Sequence, residues 1–361
     1  MAVYKDRKRG SWYVQASFCD SGGKRVRTTK RGFASKREAQ AWERDFLARH
    51  EGSLTMTFEA FWAVYERDRR PRVRESTWFS KEMITRDKIL PFFGDIPMCE
   101  ITSQDIIRWQ NELTSHRGSS GAGYAPTYIR TIENQLACVL NHAVRHYGLA
   151  RNPMLATGRV GGRRAGEMRY WTKDEYLRFS EAIMDKPDAW LAFEVLYWCG
   201  IREGELLALT PADLDFRRMQ LKVSKTYTVL QRREIVGPPK TEKSNRSVTM
   251  PRFLADELRD YIGQMGIAQD ARVFAVDKHY LYREMRRGCA LSGVKVIRVH
   301  DLRHSHVSLL IEKGFNVLAI AERLGHESID ITYRYAHLFP DKQGEMARVL
   351  DGERGADELQ G

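Results

Sequence analysis

The sequence predicts a multidomain protein, mainly α-helical with small β-sheets, and three observations predict it. The chain has 361 residues, enough for two or three domains, and its 42% hydrophobic content can build packed cores. Turn residues punctuate short extended runs in the first fifty positions. Helical apolar spacing with capping residues dominates afterwards, interrupted by a strand-like stretch near 219–250.

Residues 1–52 form the first expected unit. Val3 to Lys5, Ser11 to Cys19 and Lys24 to Arg31 read as strands joined by the KDRKRG and DSGG turns. Ser35 then opens a helix, SKREAQAWERDFLARH, with Ala39, Trp42 and Phe46 on its apolar stripe. A three-stranded sheet against one helix is the simplest assembly. Residues 1–50 hold 13 Lys/Arg and 5 Asp/Glu, a local charge of 13 − 5 = +8 out of +12 for the chain. Such a basic block fits a polyanion. Lys24, Arg25, Arg27, Lys30 and Arg31 would stand beside Trp12 and Tyr13, and a sheet can enter a DNA groove with cations on the flanking phosphates. A sheet whose charges merely keep it in solution is the alternative.

Residues 53–155 read as four main helices. Thr57 caps FEAFWAVYERD, a second helix covers Thr77 to Leu90, Ser103 starts QDIIRWQNEL, and Thr127 starts YIRTIENQLACVLNHAVRHYG. Gly118 to Gly123 is a flexible connector, and the Gly- and Arg-rich stretch over 156–168 is the interdomain linker, its arginines suited to a polyanion.

The largest unit spans 169–350. Thr172 caps KDEYLRFSEAIM, and the apolar helix DAWLAFEVLYWCG stops at Gly200. Arg202 follows between Gly200 and Glu205, where an i,i+3 ion pair to Glu205 would account for it equally well. Met219 to Met250 reads as strands, with a Pro-Pro-Lys-Thr turn exposing Lys240 near Lys243 and Arg246. Asp256 to Gly263 and His279 to Gly288 are further helical pieces.

From His300 to Tyr335 three short helices concentrate His, Arg and Tyr. Gly314 and Gly325 are the stops, and Asn316 and Ser328 the following N-caps. His300 and Arg303 share one face if Asp301 to Ile311 is helical. His326 follows Gly325, and Tyr335 lies nine residues beyond. Singly, each is an ordinary core histidine or surface tyrosine. The acidic end, 351–361, is expected to be a disordered tail.

Five scattered cysteines without a C-x-x-C pair imply a reduced compartment and no zinc site. No apolar run reaches membrane-spanning length, and MAVYKDRKRGSWYV lacks a signal-peptide core, so a cytoplasmic protein is expected.

Taken in order, GIREGEL, PPKTEKSNRSV, HDLRHSH and LGHESIDITYRYAHL form a set that resembles the tyrosine recombinases, or phage integrase family. The matching positions are Arg202, Lys240, His300, Arg303, His326 and Tyr335, and Ile201 where Leu is usual changes no chemistry. The helical segment resembles the family's core-site-binding domain. The basic N-terminal sheet resembles, more loosely, the arm-site-binding domain of phage and conjugative-transposon integrases. The resemblance implies an α+β catalytic domain, double-stranded DNA with core and arm sites as partner, a homotetramer on DNA, accessory DNA-bending proteins, and no cofactor or metal.

The chemistry asks for these groups. Attack on an anionic phosphodiester needs its oxygens neutralised, which Arg202 and Arg303 can do with planar forks. Tyr335, protonated at neutral pH, needs a proton acceptor. The resemblance implies His300 for that role, Lys240 as general acid to the leaving 5′ oxygen, His326 as a hydrogen-bond donor to the phosphate, and Glu205 orienting Arg202 or His300. Tyr333 is the competing nucleophile, but two helical residues turn a side chain by ~200°, and the motif aligns Tyr335.

Three other readings stand beside this one. A type IB topoisomerase shares the nucleophile logic, a DNA-binding regulator would carry the residues as vestiges, and a chromosome dimer resolvase usually lacks the basic N-terminal block.

Overall fold

The computed structural model describes residues 2–6, 10–19, 25–42, 54–162, 168–239, 241–325 and 335. Lys24, Lys240, His326, Ser328, Tyr333 and the 351–361 tail lie outside the described residues. The chain divides into two compact units, Met1–Gly166 and Glu167–Gly361. No helix among the described residues is long and apolar enough to cross a membrane.

In the first unit β1 (Ala2–Asp6), β2 (Ser11–Cys19) and β3 (Arg25–Phe33) form an antiparallel sheet in the order β1-β2-β3. Helix α1 covers residues 36–42. Ser35 opens it as expected: Glu38 N–H donates to Ser35 Oγ at 3.1 Å, and Ala34 N–H donates back to Glu38 Oε2 at 2.9 Å. Val14, Phe33 and Ala39 make a small core flanked by Trp12 and Trp42.

Four main helical segments follow. α2 (Phe58–Arg69) is capped by Thr57 as expected. α3 (Glu75–Ile84) runs through a π-turn at Thr85–Ile89 into α4 (Leu90–Phe93), so the second segment begins earlier than the sequence reading placed it. α5 (Ser103–Ser115) is capped by Thr102 rather than Ser103, because Thr102 and Asp105 complete a capping box. α6 (Pro126–His146) starts at Pro126, whose fixed φ and missing N–H suit the first helical position. The core is aromatic: Phe58, Phe61, Trp78, Phe93 and Trp109 are buried on Ile132, Leu136 and Leu140.

Buried in α6, Glu133 accepts from Gln110 Nε2 at 2.8 Å and from the Val160 and Gly161 N–H groups at 3.0 and 3.1 Å. Residues 158–162, beyond the short helix α7 (Met154–Thr157), are thereby fastened to α6. That part of the expected linker packs on the helical core, and a Cβ at Gly161 would meet the Arg130 backbone at 2.3 Å.

The second unit is built around α9 (Pro187–Cys199), apolar on all sides and buried almost throughout. α8 (Lys173–Ala182), capped by Thr172 with Glu175, precedes it, and α10 (Glu203–Leu206) follows. β4 (Leu214–Asp215), β5 (Gln220–Val223) and β8 (Arg246–Thr249) form one sheet. β6 (Thr226–Leu230) and β7 (Arg233–Gly237) form a separate hairpin, turning through Gln231 and Arg232 at φ 48° and 65°. Both central residues at positive φ match a tight hairpin turn. α11 (Arg252–Met265) and α12 (Lys278–Ser292) extend beyond the expected helical pieces. α13 (Asp301–Glu312) and α14 (Val317–Leu324) are the last helices among the described residues, with Asn316 capping α14 and Gly325 ending it in left-handed conformation.

Candidate active site

The C-terminal end of α9 sets the site. Gly200 takes φ 64°, and a Cβ there would lie 2.4 Å from His306 Cδ2, so a side chain is excluded twice over. The turn delivers Arg202 to the N-cap of α10, where its N–H donates to Glu205 Oε2 at 2.9 Å and its Nη1 to Oε1 at 2.7 Å. Arg246 from β8 reaches the same carboxylate, Nη1 to Oε1 at 3.3 Å and Nη2 to Oε2 at 3.0 Å. Burial alone would raise the Glu205 pKa, but Arg246 and Arg202 outweigh it and hold it below the usual value. Glu205, 3% exposed, is therefore an anion that aims Arg202, whose side chain stays 36% exposed.

Arg303 stands behind it, 4% exposed. Its Nη1 donates to the Gly200 carbonyl and its Nη2 to the Leu324 carbonyl, each at 2.7 Å, tying α13 to the ends of α9 and α14. Burial and then Arg202 push its guanidinium down to about 9, still a cation at neutral pH. Arg323 locks the frame: Nε donates to His306 Nε2, Nη1 to the Thr249 carbonyl and Nη2 to the Trp198 carbonyl, all at 3.1 Å.

Tyr335 is 3% exposed and packs with Val307, Ile311, Ile320 and Leu324. Its hydroxyl is hydrogen-bonded to Nδ1 of His304. Burial, then His300, push the His304 imidazole down to about 4, so the ring is neutral at physiological pH. His300 is exposed at the start of α13, edge-on to His304 with ring centroids 5.6 Å apart. Desolvation of its ring, then Arg303, lowers its pKa too.

Of the residues singled out in the sequence, Arg202, Glu205, His300 and Arg303 come together at the ends of α9, α13 and α14, with Tyr335 on the same face of α13. Glu205 pairs with Arg202, the i,i+3 ion pair that the spacing allows. His304 is not among the residues that the sequence singles out, and Arg246 stands there only as a candidate cation beside Lys240 and Lys243. His304 follows Arg303 in HDLRHSH and lies four residues from His300, a helical spacing that the sequence does contain. In the N-terminal sheet the structure separates Trp12 from Tyr13: Trp12 packs toward the small core, while Tyr13 stacks on Tyr4 at 5.3 Å with Arg31 5.7 Å over its ring. Arg27, Lys30 and Arg31 are exposed, and the Arg25 side chain lies outside the described residues.

Comparison with known proteins decides what this assembly is. The sequence model described as "Phage integrase family" matches residues 169–342, "Phage integrase, N-terminal SAM-like domain" matches 57–114, and "Arm DNA-binding domain" matches 2–49. The ICEBs1 integrase of Bacillus subtilis (strain 168) is 30% identical, with 96% of this chain and 98% of that protein covered. The chain belongs to the phage integrase family. It is a tyrosine recombinase, an enzyme of DNA strand transfer.

Solved structures agree on the fold of this integrase-family chain. A Tn1549 transposon integrase (Y379F) in complex with transposon right end DNA has a TM-score of 0.64 at 20% identity, covering 83% of this chain and 100% of that one. A lambda integrase tetramer bound to a Holliday junction has a TM-score of 0.55 at 18% identity, covering 94% and 93%.

Proposed function

We propose that this recombinase integrates and excises a mobile element of phage or conjugative type by cutting DNA through a 3′-phosphotyrosyl intermediate. The observation that carries the reading is the convergence of Arg202, Arg303 and the Tyr335 hydroxyl around the N-terminal half of α13. Arg202 and Arg303 neutralise the non-bridging oxygens of the scissile phosphate, one exposed to receive it and one buried behind. Tyr335 attacks phosphorus. The family resemblance implies His300 as acceptor of the phenolic proton, and a neutral imidazole at the start of α13 takes it. Lys240 protonates the departing 5′ oxygen, and His326 donates to the phosphate. The covalent link conserves the bond energy, so a second DNA 5′ hydroxyl can displace the tyrosine without ATP.

The division of labour follows. Residues 1–52 bind arm-type DNA, with Tyr13, Arg27, Lys30 and Arg31 foremost, and Lys24, Arg25 and Trp12 as further candidates. Residues 53–155 bind the core site, 156–168 link, and 169–350 cut. Exchange between two duplexes needs four active sites, so the working form is a homotetramer on DNA, helped by DNA-bending proteins. The test is a recombination assay between two DNA molecules carrying the element's ends and its target, followed by mass mapping of the protein–DNA adduct. A tyrosine-linked 3′ phosphate with strand exchange is expected. Relaxation of plasmid without any target site, and no exchange, would favour a topoisomerase instead.

A further inference from the structure

We infer that His304 is the catalytic residue that accepts the Tyr335 proton, with Asp301 favouring the tautomer this requires. The inference rests on the reading of Tyr335 as the nucleophile and names the proton's destination within that site. Its ground is geometric: among the described residues, the imidazole hydrogen-bonded to the Tyr335 hydroxyl is that of His304, through Nδ1. The His300 ring meets that of His304 edge-on, with centroids 5.6 Å apart.

A nitrogen that accepts a phenolic proton must be the unprotonated one, which requires the N–H on Nε2. Asp301 Oδ1 stands 3.8 Å from Nε2, too far for a hydrogen bond but close enough to favour a proton there. Asp301 is itself 1% exposed and fixed by Arg298, whose Nη2 donates to Oδ1 at 2.7 Å and whose backbone N–H donates to Oδ2 at 2.9 Å. Asp301 thus acts on the ring through its charge alone, and the hydrogen bond to the Tyr335 hydroxyl is what aligns the base with its oxygen nucleophile.

The charges around His304 fit a base that acts only on DNA. In the free protein burial, His300, Arg298 and Arg303 disfavour its imidazolium, while Asp301 favours it. A phosphodiester seated on Arg202 and Arg303 brings an anion next to the ring and strengthens it as a base. As the phenolic oxygen bonds to phosphorus, its proton passes to His304 Nδ1. The P–O5′ bond breaks, and the 5′ oxygen takes a proton from the general acid. In rejoining the incoming 5′ hydroxyl loses its proton to that acid's conjugate base, and the imidazolium returns its proton to the leaving phenolate.

The experiment measures single-turnover adduct formation on a nicked suicide substrate by the full chain and its His304→Ala and His304→Gln variants. Binding to the same DNA and thermal melting are followed alongside. Loss of the base should slow cleavage by about 10²–10⁴-fold. Both variants should show it, because glutamine keeps a hydrogen bond but cannot carry the proton. The rate in His304→Gln should also rise with pH as hydroxide takes over deprotonation. A 5′-bridging sulfur, whose thiolate departs without a proton, should leave the defect in place.

Glutamine at the wild-type rate, or rescue of either variant by the bridging sulfur, would overturn the assignment. If alanine alone unfolds, the glutamine variant decides. A wild-type chain that forms no adduct at Tyr335 would contradict the nucleophile reading itself, whatever the variants do.

Discussion

Glu205 receives Arg246 on both of its oxygens, at 3.3 and 3.0 Å, while holding Arg202 at 2.7 Å, so one buried carboxylate serves two guanidinium groups. Removing one partner of a buried pair leaves an uncompensated charge, typically costing about 3–5 kcal/mol. Glu205→Gln should therefore lose stability on that scale in urea unfolding and slow cleavage by freeing Arg202. The Glu205 pKa is depressed by folding, so the pair's contribution is complete above the ordinary glutamate pKa. It should fade as pH falls through the lower folded value. The pH dependence of unfolding should flatten on the acid side in Glu205→Gln.

Gly200→Ala should damage both fold and site. Left-handed backbone costs a residue with a Cβ about 1–2 kcal/mol, and the 2.4 Å approach to His306 adds overpacking of about 1–3 kcal/mol. The Gly200 carbonyl is also an acceptor for Arg303. The expected result is a lower melting temperature together with slower adduct formation.

Glu133→Ala should release residues 158–162, because it removes the acceptor of the Val160 and Gly161 N–H groups. Limited proteolysis should then cut in this stretch at protease levels that leave the parent chain intact there. Hydrogen exchange at Val160 and Gly161 should rise with it.

Arg31→Ala, on the exposed face beside Tyr13, should weaken DNA binding across sequences and lower the salt slope by about one if it contacts one phosphate. Binding measured over a range of salt concentrations checks this. An unchanged slope would place Arg31 away from DNA.

Much of this was legible because the signals were local. Thr57, Thr172 and Asn316 start helices where a side-chain oxygen meets the N2 or N3 N–H, and Gly200 and Gly325 stop them where left-handed backbone is required. The catalytic unit was legible through ordered motifs, in which Arg202, His300, Arg303 and Tyr335 keep characteristic spacing. Long-range partners left no such trace. Arg246 meets Glu205 across 41 residues and Glu133 meets Gly161 across 28, and neither pair has a sequence period. His304 was hidden beside Arg303, its role set by Tyr335 returning from 31 residues away. Trp12 and Tyr13 were grouped as neighbours, yet successive strand residues face opposite sides, and the bulge between them changes the register as well.

The most direct test of the nucleophile is covalent capture on a nicked suicide substrate by the Tyr335→Phe and Tyr333→Phe variants. Tyr335→Phe should form no protein–DNA adduct, while Tyr333→Phe should form it as the parent chain does. An adduct retained by Tyr335→Phe would contradict it.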